Sequence, residues 1–216
     1  MAPDAMQEVY PVREDSRLLA RFARPRPGEN VLEIGCGRGL ASLVSARHGA
    51  RRVVGTDRNP TALRLLRRRA RDEQLAIEVV RTDLAAGLRR FDLVLANPPY
   101  LPTTRANREE DPWERLALDG GPDGCRALAR LLTTLPHHLA PRGRAYVLVS
   151  SLQSRRRLSE LRTRWRRRGG RCQTVARERW GDEMLSIWCL RPGTRRTGRS
   201  TLGTGGRRPV LRVPRS

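Results

Sequence analysis

An Asn-Pro-Pro-Tyr run, Asn97-Pro98-Pro99-Tyr100, closes the apolar segment Phe91-Asp92-Leu93-Val94-Leu95-Ala96. The segment has the length and apolarity of a buried strand. Two consecutive prolines can neither extend a ladder nor open a helix, so the strand ends at Asn97. Residues that precede proline are confined to the extended region, which holds Asn97 and Pro98 stiff and fixes the direction of their carbonyl groups. The Asn97 side-chain oxygen and the Pro98 carbonyl can together accept both hydrogens of an NH2 group, while the Tyr100 ring lies against the flat group that carries it. Such a corner suits a planar amide or an exocyclic amine. The plainer alternative is a strand-terminating turn with Tyr100 packed in the core.

Three earlier strand-like runs end beside an acid. Val31-Leu32-Glu33-Ile34 runs into Gly35-Cys36-Gly37-Arg38-Gly39 and then an amphipathic stretch over about 40–48, the strand, glycine turn and helix that bring backbone N–H groups close to a nucleotide-like ligand. A dinucleotide fingerprint needs its third glycine where Leu40 stands. Glu33 would repel a pyrophosphate and favour a cationic ligand; a merely tight turn is the competing reading. The run 52–57 ends at Asp57, twenty positions after Gly37, the spacing at which a carboxylate reaches both hydroxyls of a ribose. The run 77–82 ends at Asp83-Leu84. In a parallel sheet these endings share one edge, where ligands bind.

The elements that must position these residues follow in order. The acidic pair Glu14-Asp15 and Ser16 fall at the start of a helix carrying Leu18, Leu19 and Phe22, where negative charge and a cap are expected. Asn59-Pro60 opens a helix to about Gln74 with Ala62, Leu63, Leu66 and Ala70 inside and Arg64, Arg67, Arg68 and Arg71 outside. A polar loop over about 101–120, holding Trp113 and running into Gly120-Gly121-Pro122-Asp123-Gly124, is expected to face substrate. A helix with Leu128, Leu131, Leu132 and Leu135 is disturbed at Pro136, and a Pro141-Arg142-Gly143 turn leads to a strand over 145–150. Residues 152–170 read as a helix with an apolar seam of Leu158, Leu161 and Trp165 and a basic outer face, suited to solvent or to phosphate. Runs 172–179 and 184–190 around Trp180-Gly181-Asp182 read as a hairpin.

A chain of 216 residues suits one α/β domain, here 9–192. Residues 1–8 and 193–216 are expected to be disordered, the latter rich in Arg and without an acid. The formal charge is +22, and all 44 basic residues are Arg, a bias that GC-rich coding explains more simply than chemistry. Such a surface still attracts polyanions, including RNA or the ribosome. Cys36, Cys125, Cys172 and Cys189 are dispersed, which predicts buried reduced thiols and no metal site. No apolar run has the length of a membrane span and no signal-peptide core is present, so a cytoplasmic protein without membrane contact is expected.

Glu33-x-Gly35-x-Gly37, Asp57-Arg58-Asn59-Pro60, Asp83-Leu84 and Asn97-Pro98-Pro99-Tyr100, each at a strand end, resemble the class I S-adenosylmethionine-dependent methyltransferase pattern. Tyr10-Pro11-Val12-Arg13-Glu14-Asp15-Ser16 and the 120–124 run are more narrowly similar to the HemK/PrmC group, which methylates the glutamine of the GGQ motif in release factors. Over about 9–191 the likeness is to its short eukaryotic and archaeal type. It implies a Rossmann-like, mostly parallel seven-stranded sheet with helices on both faces, whose last strand is antiparallel and inserted between the fifth and sixth. It further implies S-adenosylmethionine as cofactor, a protein substrate, and a small activator subunit. By position, Gly35 and Gly37 would cradle the methionine part, Glu33 face its amino and sulfonium charge, Asp57 hold the ribose, and Asp83 with the Leu84 amide read adenine. Ser16 would close over the methionine end, and Asn97, Pro98, Pro99 and Tyr100 would hold the acceptor. The same motif also serves adenine or guanine amines, which leaves an RNA or DNA base as the alternative acceptor and a non-catalytic nucleic-acid binder as the third reading.

Overall fold

A computed structural model of the protein describes residues 9–104, 109 and 111–193. The expected disordered ends, 1–8 and all of 193–216 but its first residue, lie outside these. Seven strands, β1 (Asn30–Ile34), β2 (Arg52–Asp57), β3 (Ile77–Arg81), β4 (Phe91–Ala96), β5 (Leu139–Ser150), β6 (Arg171–Trp180) and β7 (Glu183–Arg191), form one sheet in the order β3-β2-β1-β4-β5-β7-β6. The first five pair in parallel, and β7 is antiparallel between β5 and β6, as the resemblance implies.

Strand order reverses between β1 and β4, and this is the step that builds the site. Ile34 pairs with Ala96 on one side and with Thr56 on the other. Gly35, Asp57 and Asn97 are the next residues along these three strands, so the register sets them side by side at the carboxyl edge, in the crevice where open α/β sheets bind ligands.

Alternation along each strand then decides which helix a side chain meets. Val31, Leu93 and Leu95 pack with Leu18 and Leu19 of α1 (Glu14–Ala20) and Ala41 of α2 (Leu40–Arg47). Leu32, Ile34, Val94 and Ala96 pack on the opposite face with Leu128, Leu131 and Leu135 of α5 (Arg126–His138) and Leu161 and Trp165 of α6 (Arg155–Arg167). Glu33 and Asn97 continue the first series, which turns both toward α1 and α2. On α3 (Pro60–Asp72), Leu63 and Leu66 form a third cluster with Cys36 and Leu43, and Arg64, Arg67, Arg68 and Arg71 face solvent.

Three elements differ from the sequence reading. The 101–120 stretch contains a helix, α4 (Pro112–Leu118), whose first turn is capped by the Asp111 carboxylate on the Trp113 and Glu114 amides. α5 runs through Pro136, and β5 opens at Leu139 with the pairing shifting from Leu139 to Arg144 across the Pro141-Arg142-Gly143 stretch. The 120–124 run also departs from its expected place: a Cβ at Gly120 would lie 2.7 Å from the Gly124 carbonyl, and one at Gly124 2.5 Å from the Tyr100 carbonyl. These glycines pack the chain tightly behind Tyr100 and support the corner from its rear.

Candidate active site

A cleft of about 880 Å³ lies along the carboxyl edge of β1, β2 and β4 and is lined by Ser16, Glu33, Gly35, Gly37, Asp57, Asp83, Leu84, Asn97, Pro98, Pro99 and Tyr100. Every candidate residue thus borders one cavity. Asn97, Pro98, Pro99 and Tyr100 therefore border the same cleft as the carboxylates.

The glycine turn is built for close approach. Gly35 and Gly37 have φ of 68° and 49°, and a Cβ on either would meet nothing within 4 Å. Conformation and access to the cleft, not packing, therefore call for glycine there. Gly39 differs: its Cβ would lie 2.3 Å from Leu66 Cδ1. It seats α2 closely against α3, the packing role of a third glycine, one position earlier than a dinucleotide fingerprint has it.

Asp57 fixes this turn. Its Oδ2 accepts from the Gly37 amide at 2.9 Å and its Oδ1 from the Asn59 amide at 2.8 Å. Burial pushes its carboxyl above the ordinary value, against these backbone donors. Glu33 borders the cleft, but its carboxylate is engaged at the start of α2, where Oε2 accepts from the Ser42 amide at 2.7 Å and from the Ser42 hydroxyl. Burial raises it to about 7. Asp83 accepts from Arg130 Nη2 at 2.6 Å, an exposed pair that leaves its other oxygen free of ion pairs among the described residues. Leu84 takes a left-handed φ of 55°, rare for a branched residue, and the Thr56 hydroxyl donates to its carbonyl at 2.7 Å.

Asn97 ends the row. Its Nδ2 donates to Asp15 Oδ2 at 3.0 Å, while its Oδ1 is buried with no partner among the described residues. The adjoining Pro98 carbonyl likewise receives no hydrogen bond among them. Asp15 also accepts from the Tyr100 hydroxyl at 3.3 Å and the Tyr10 hydroxyl at 3.4 Å, and from the Ser16 amide at 2.6 Å. Its place at a helix start suggested only favourable charge; instead the side chain is 3 % exposed and turned to the acceptor corner. An acid in the first turn followed by Ser gives no sequence signal for a partner eighty positions away.

Trp113 and Leu116 of α4 border the cleft, as does Glu183 from the start of β7. Among the described residues no cluster of three or more His, Cys, Asp or Glu could hold a metal ion, and all four cysteines are buried and free. No described helix is long and apolar enough to cross a membrane.

Residues 12–112 match the family model "Methyltransferase small domain". A protein of Methanocaldococcus jannaschii, provisionally named a protein N5-glutamine methyltransferase, is 40% identical over 146 residues, 67% of this chain and 74% of that protein. A release factor glutamine methyltransferase of Geobacter sulfurreducens is 34% identical over 142 residues. The chain spans about half the length of the bacterial enzymes of that name which it matches. Among solved structures, the E. cuniculi Mtq2–Trm112 complex, described as responsible for methylating the eRF1 termination factor, superposes with a TM-score of 0.66 at 24% identity, over 86% of this chain and 99% of that one. A sheet with this strand order, a glycine turn and acids along its carboxyl edge, and an archaeal relative matched over three quarters of its length place the chain in the HemK/PrmC-like class I S-adenosylmethionine-dependent methyltransferases.

Proposed function

We propose that this protein methylates the side-chain nitrogen of a protein glutamine, with the GGQ motif of a translation release factor as the favoured acceptor. One observation carries the reading: Asn97 Oδ1, a buried acceptor without a partner among the described residues, stands beside a Pro98 carbonyl that receives no hydrogen bond among them, on residues that border the cleft lined by Gly35, Gly37 and Asp57. Buried polar atoms are rarely left unpaired, so such an atom on a residue that borders the cavity is best explained by a donor the chain does not itself supply.

The residues fit S-adenosylmethionine. Gly35 and Gly37 leave room for its methionine part, Ser16 borders the same cleft, Asp57 keeps acceptor capacity for a ribose, and Asp83 with Leu84 borders the place for adenine. Glu33 contributes mainly by holding the start of α2, and its charge reaches a cationic ligand from behind the turn. When bound, the cofactor supplies an electrophilic methyl carbon.

An amide nitrogen is a weak nucleophile because its lone pair is delocalised into the carbonyl. Asn97 Oδ1 and the Pro98 carbonyl answer this by accepting both of its hydrogens, which orients the nitrogen and stabilises the positive charge that grows on it as the methyl arrives. Pro99 and Tyr100 wall the planar group. No strong base is required, because the proton leaves to solvent once the nitrogen has four bonds.

The relatives' names support a release factor as substrate, and the Mtq2–Trm112 likeness supports adding a small activator subunit to the assay. Exposed arginines of α6, such as Arg164 and Arg167, offer a surface for RNA or the ribosome. The test is labelled methyl transfer offered in parallel to a release factor, its GGQ→GGA variant, rRNA and DNA, with and without the subunit. Label on the intact factor alone supports the proposal; label on nucleic acid alone would replace it with base methylation.

A further inference from the structure

The carboxylate that α1 brings to Asn97 has an unusual set of partners. In a chain with 44 arginines, Asp15 forms no ion pair among the described residues. It collects five neutral donors instead: Asn97 Nδ2, the Tyr100 hydroxyl and the Tyr10 hydroxyl on Oδ2, and the Ser16 amide and hydroxyl on Oδ1. Burial, and then the Asp15 charge, raise the Tyr10 hydroxyl to about 12 and drive that of Tyr100 well upward, so both stay protonated and donate.

An asparagine amide has two faces of nearly identical shape, and a half-turn of its plane exchanges oxygen for NH2. Free in a cleft, Asn97 would present either one. An ionised carboxylate only accepts, so the Nδ2 end must face Asp15 and the Oδ1 end must face away from it. We infer that Asp15 is a positioning residue that locks the Asn97 amide with its oxygen turned to the acceptor nitrogen. The inference rests on the proposed role of Asn97 and adds how that role is enforced. Tyr10 and Tyr100 complete the device by holding the Oδ2 atom in place, tying the segment before α1 to the corner after β4.

Asp15→Asn tests this with little change of shape. Of the five donors only the Ser16 backbone amide cannot turn round to accept, so the new carbamoyl oxygen stays on it, the hydroxyls of Tyr10 and Tyr100 rotate to accept, and the new NH2 turns to Asn97. Asn97 must then flip to accept from it, and presents NH2 to the substrate. Turnover should fall by roughly 10²–10³-fold, the scale for losing one preorganised transition-state hydrogen bond, with cofactor affinity held within about threefold. In an Asn97→Ala background the same substitution should cost less than about threefold, because residues that act through one another are not additive. The Asn97 side-chain NH2 resonances should move in Asp15→Asn, and this readout needs neither substrate nor turnover. Asp15→Ala, which removes the partner without reversing the amide, is the second variant, expected to lose roughly tenfold in turnover and to shift the same resonances.

Full turnover in Asp15→Asn, an equal loss in both backgrounds, or unmoved Asn97 resonances would overturn the inference. A loss of cofactor affinity beyond about tenfold would overturn it too, making Asp15 a cofactor ligand. If wild-type protein methylates no glutamine yet the resonances respond, the proposed function fails and the Asp15–Asn97 lock stands.

Discussion

Replacing Asp57 with Ala should weaken S-adenosylmethionine binding by a factor that follows from counting acceptor sites. A carboxylate offers about four lone-pair positions, two on each oxygen. The Gly37 amide uses one on Oδ2 and the Asn59 amide one on Oδ1, which leaves one on each oxygen, the pattern that two vicinal hydroxyls require. Hydrogen bonds to a charged group contribute about 1.5–3 kcal/mol each, so losing both costs about 3–6 kcal/mol, or roughly 10²–10⁴ in affinity. The same substitution releases the Gly37 amide, so a loose turn must be told apart from a missing ribose contact. Calorimetry with S-adenosylhomocysteine and its 2′-deoxyribose analogue does this. Wild type should prefer the ribose form by roughly tenfold or more, and Asp57→Ala should hardly discriminate. Affinity unchanged within about threefold, or undiminished discrimination in the variant, would refute the assignment of Asp57 to the ribose.

Four further outcomes are expected. Asn97→Ala should bind cofactor normally by calorimetry while turnover with a glutamine substrate falls by roughly 10²–10³-fold. Gly39→Ala forces a Cβ to 2.3 Å from Leu66 Cδ1 at a φ of 72°, and thermal or urea unfolding should register a loss of about 2–4 kcal/mol. Glu33 has a folded value of about 7 against an ordinary 4.5, so its stabilising contribution is full below about pH 4.5 and is lost as pH rises through 7, by up to about 3 kcal/mol. Urea unfolding of Glu33→Gln, which keeps an oxygen for the Ser42 amide, should therefore show a flatter dependence than wild type between pH 5 and 8. Arg144 meets both oxygens of Glu29, at 2.6 and 3.0 Å, while the Arg26 amide also donates to Glu29 and its carboxylate keeps some contact with solvent, so Arg144→Ala should cost about 1–3 kcal/mol.

Strands, the glycine turn and three of the acids were legible in the sequence because their signals are local. Apolar runs of strand length with Gly35-x-Gly37, Asp57, Asp83 and Asn97 at their ends need only a parallel sheet to become one edge, and the Ile34–Ala96 register supplies it. α4 was also written locally, in an Asp111 cap and a Pro112 at the first helical position, but the surrounding polar residues hid the helix. Gly39 is of another kind: its glycine is required by Leu66, on a different helix, and only packing reveals this. Asp15 lies furthest from local reading. Its residue type at a helix start satisfies a common electrostatic preference, which is enough to account for it without any partner. What sets it apart is the pleat of β4, which turns Leu93, Leu95 and Asn97 to the α1 face, together with Leu18 and Leu19, which seat α1 on that face. A residue that acts through a contact made eighty positions away is specified by two amphipathic patterns at once, and it emerges only when both are folded onto the same core. That dependence predicts where else to look in relatives of this chain: an acid one turn ahead of the apolar stripe of the first helix should accompany the Asn-Pro-Pro-Tyr corner, because a donor in its place would hold the amide reversed, with its NH2 toward the acceptor.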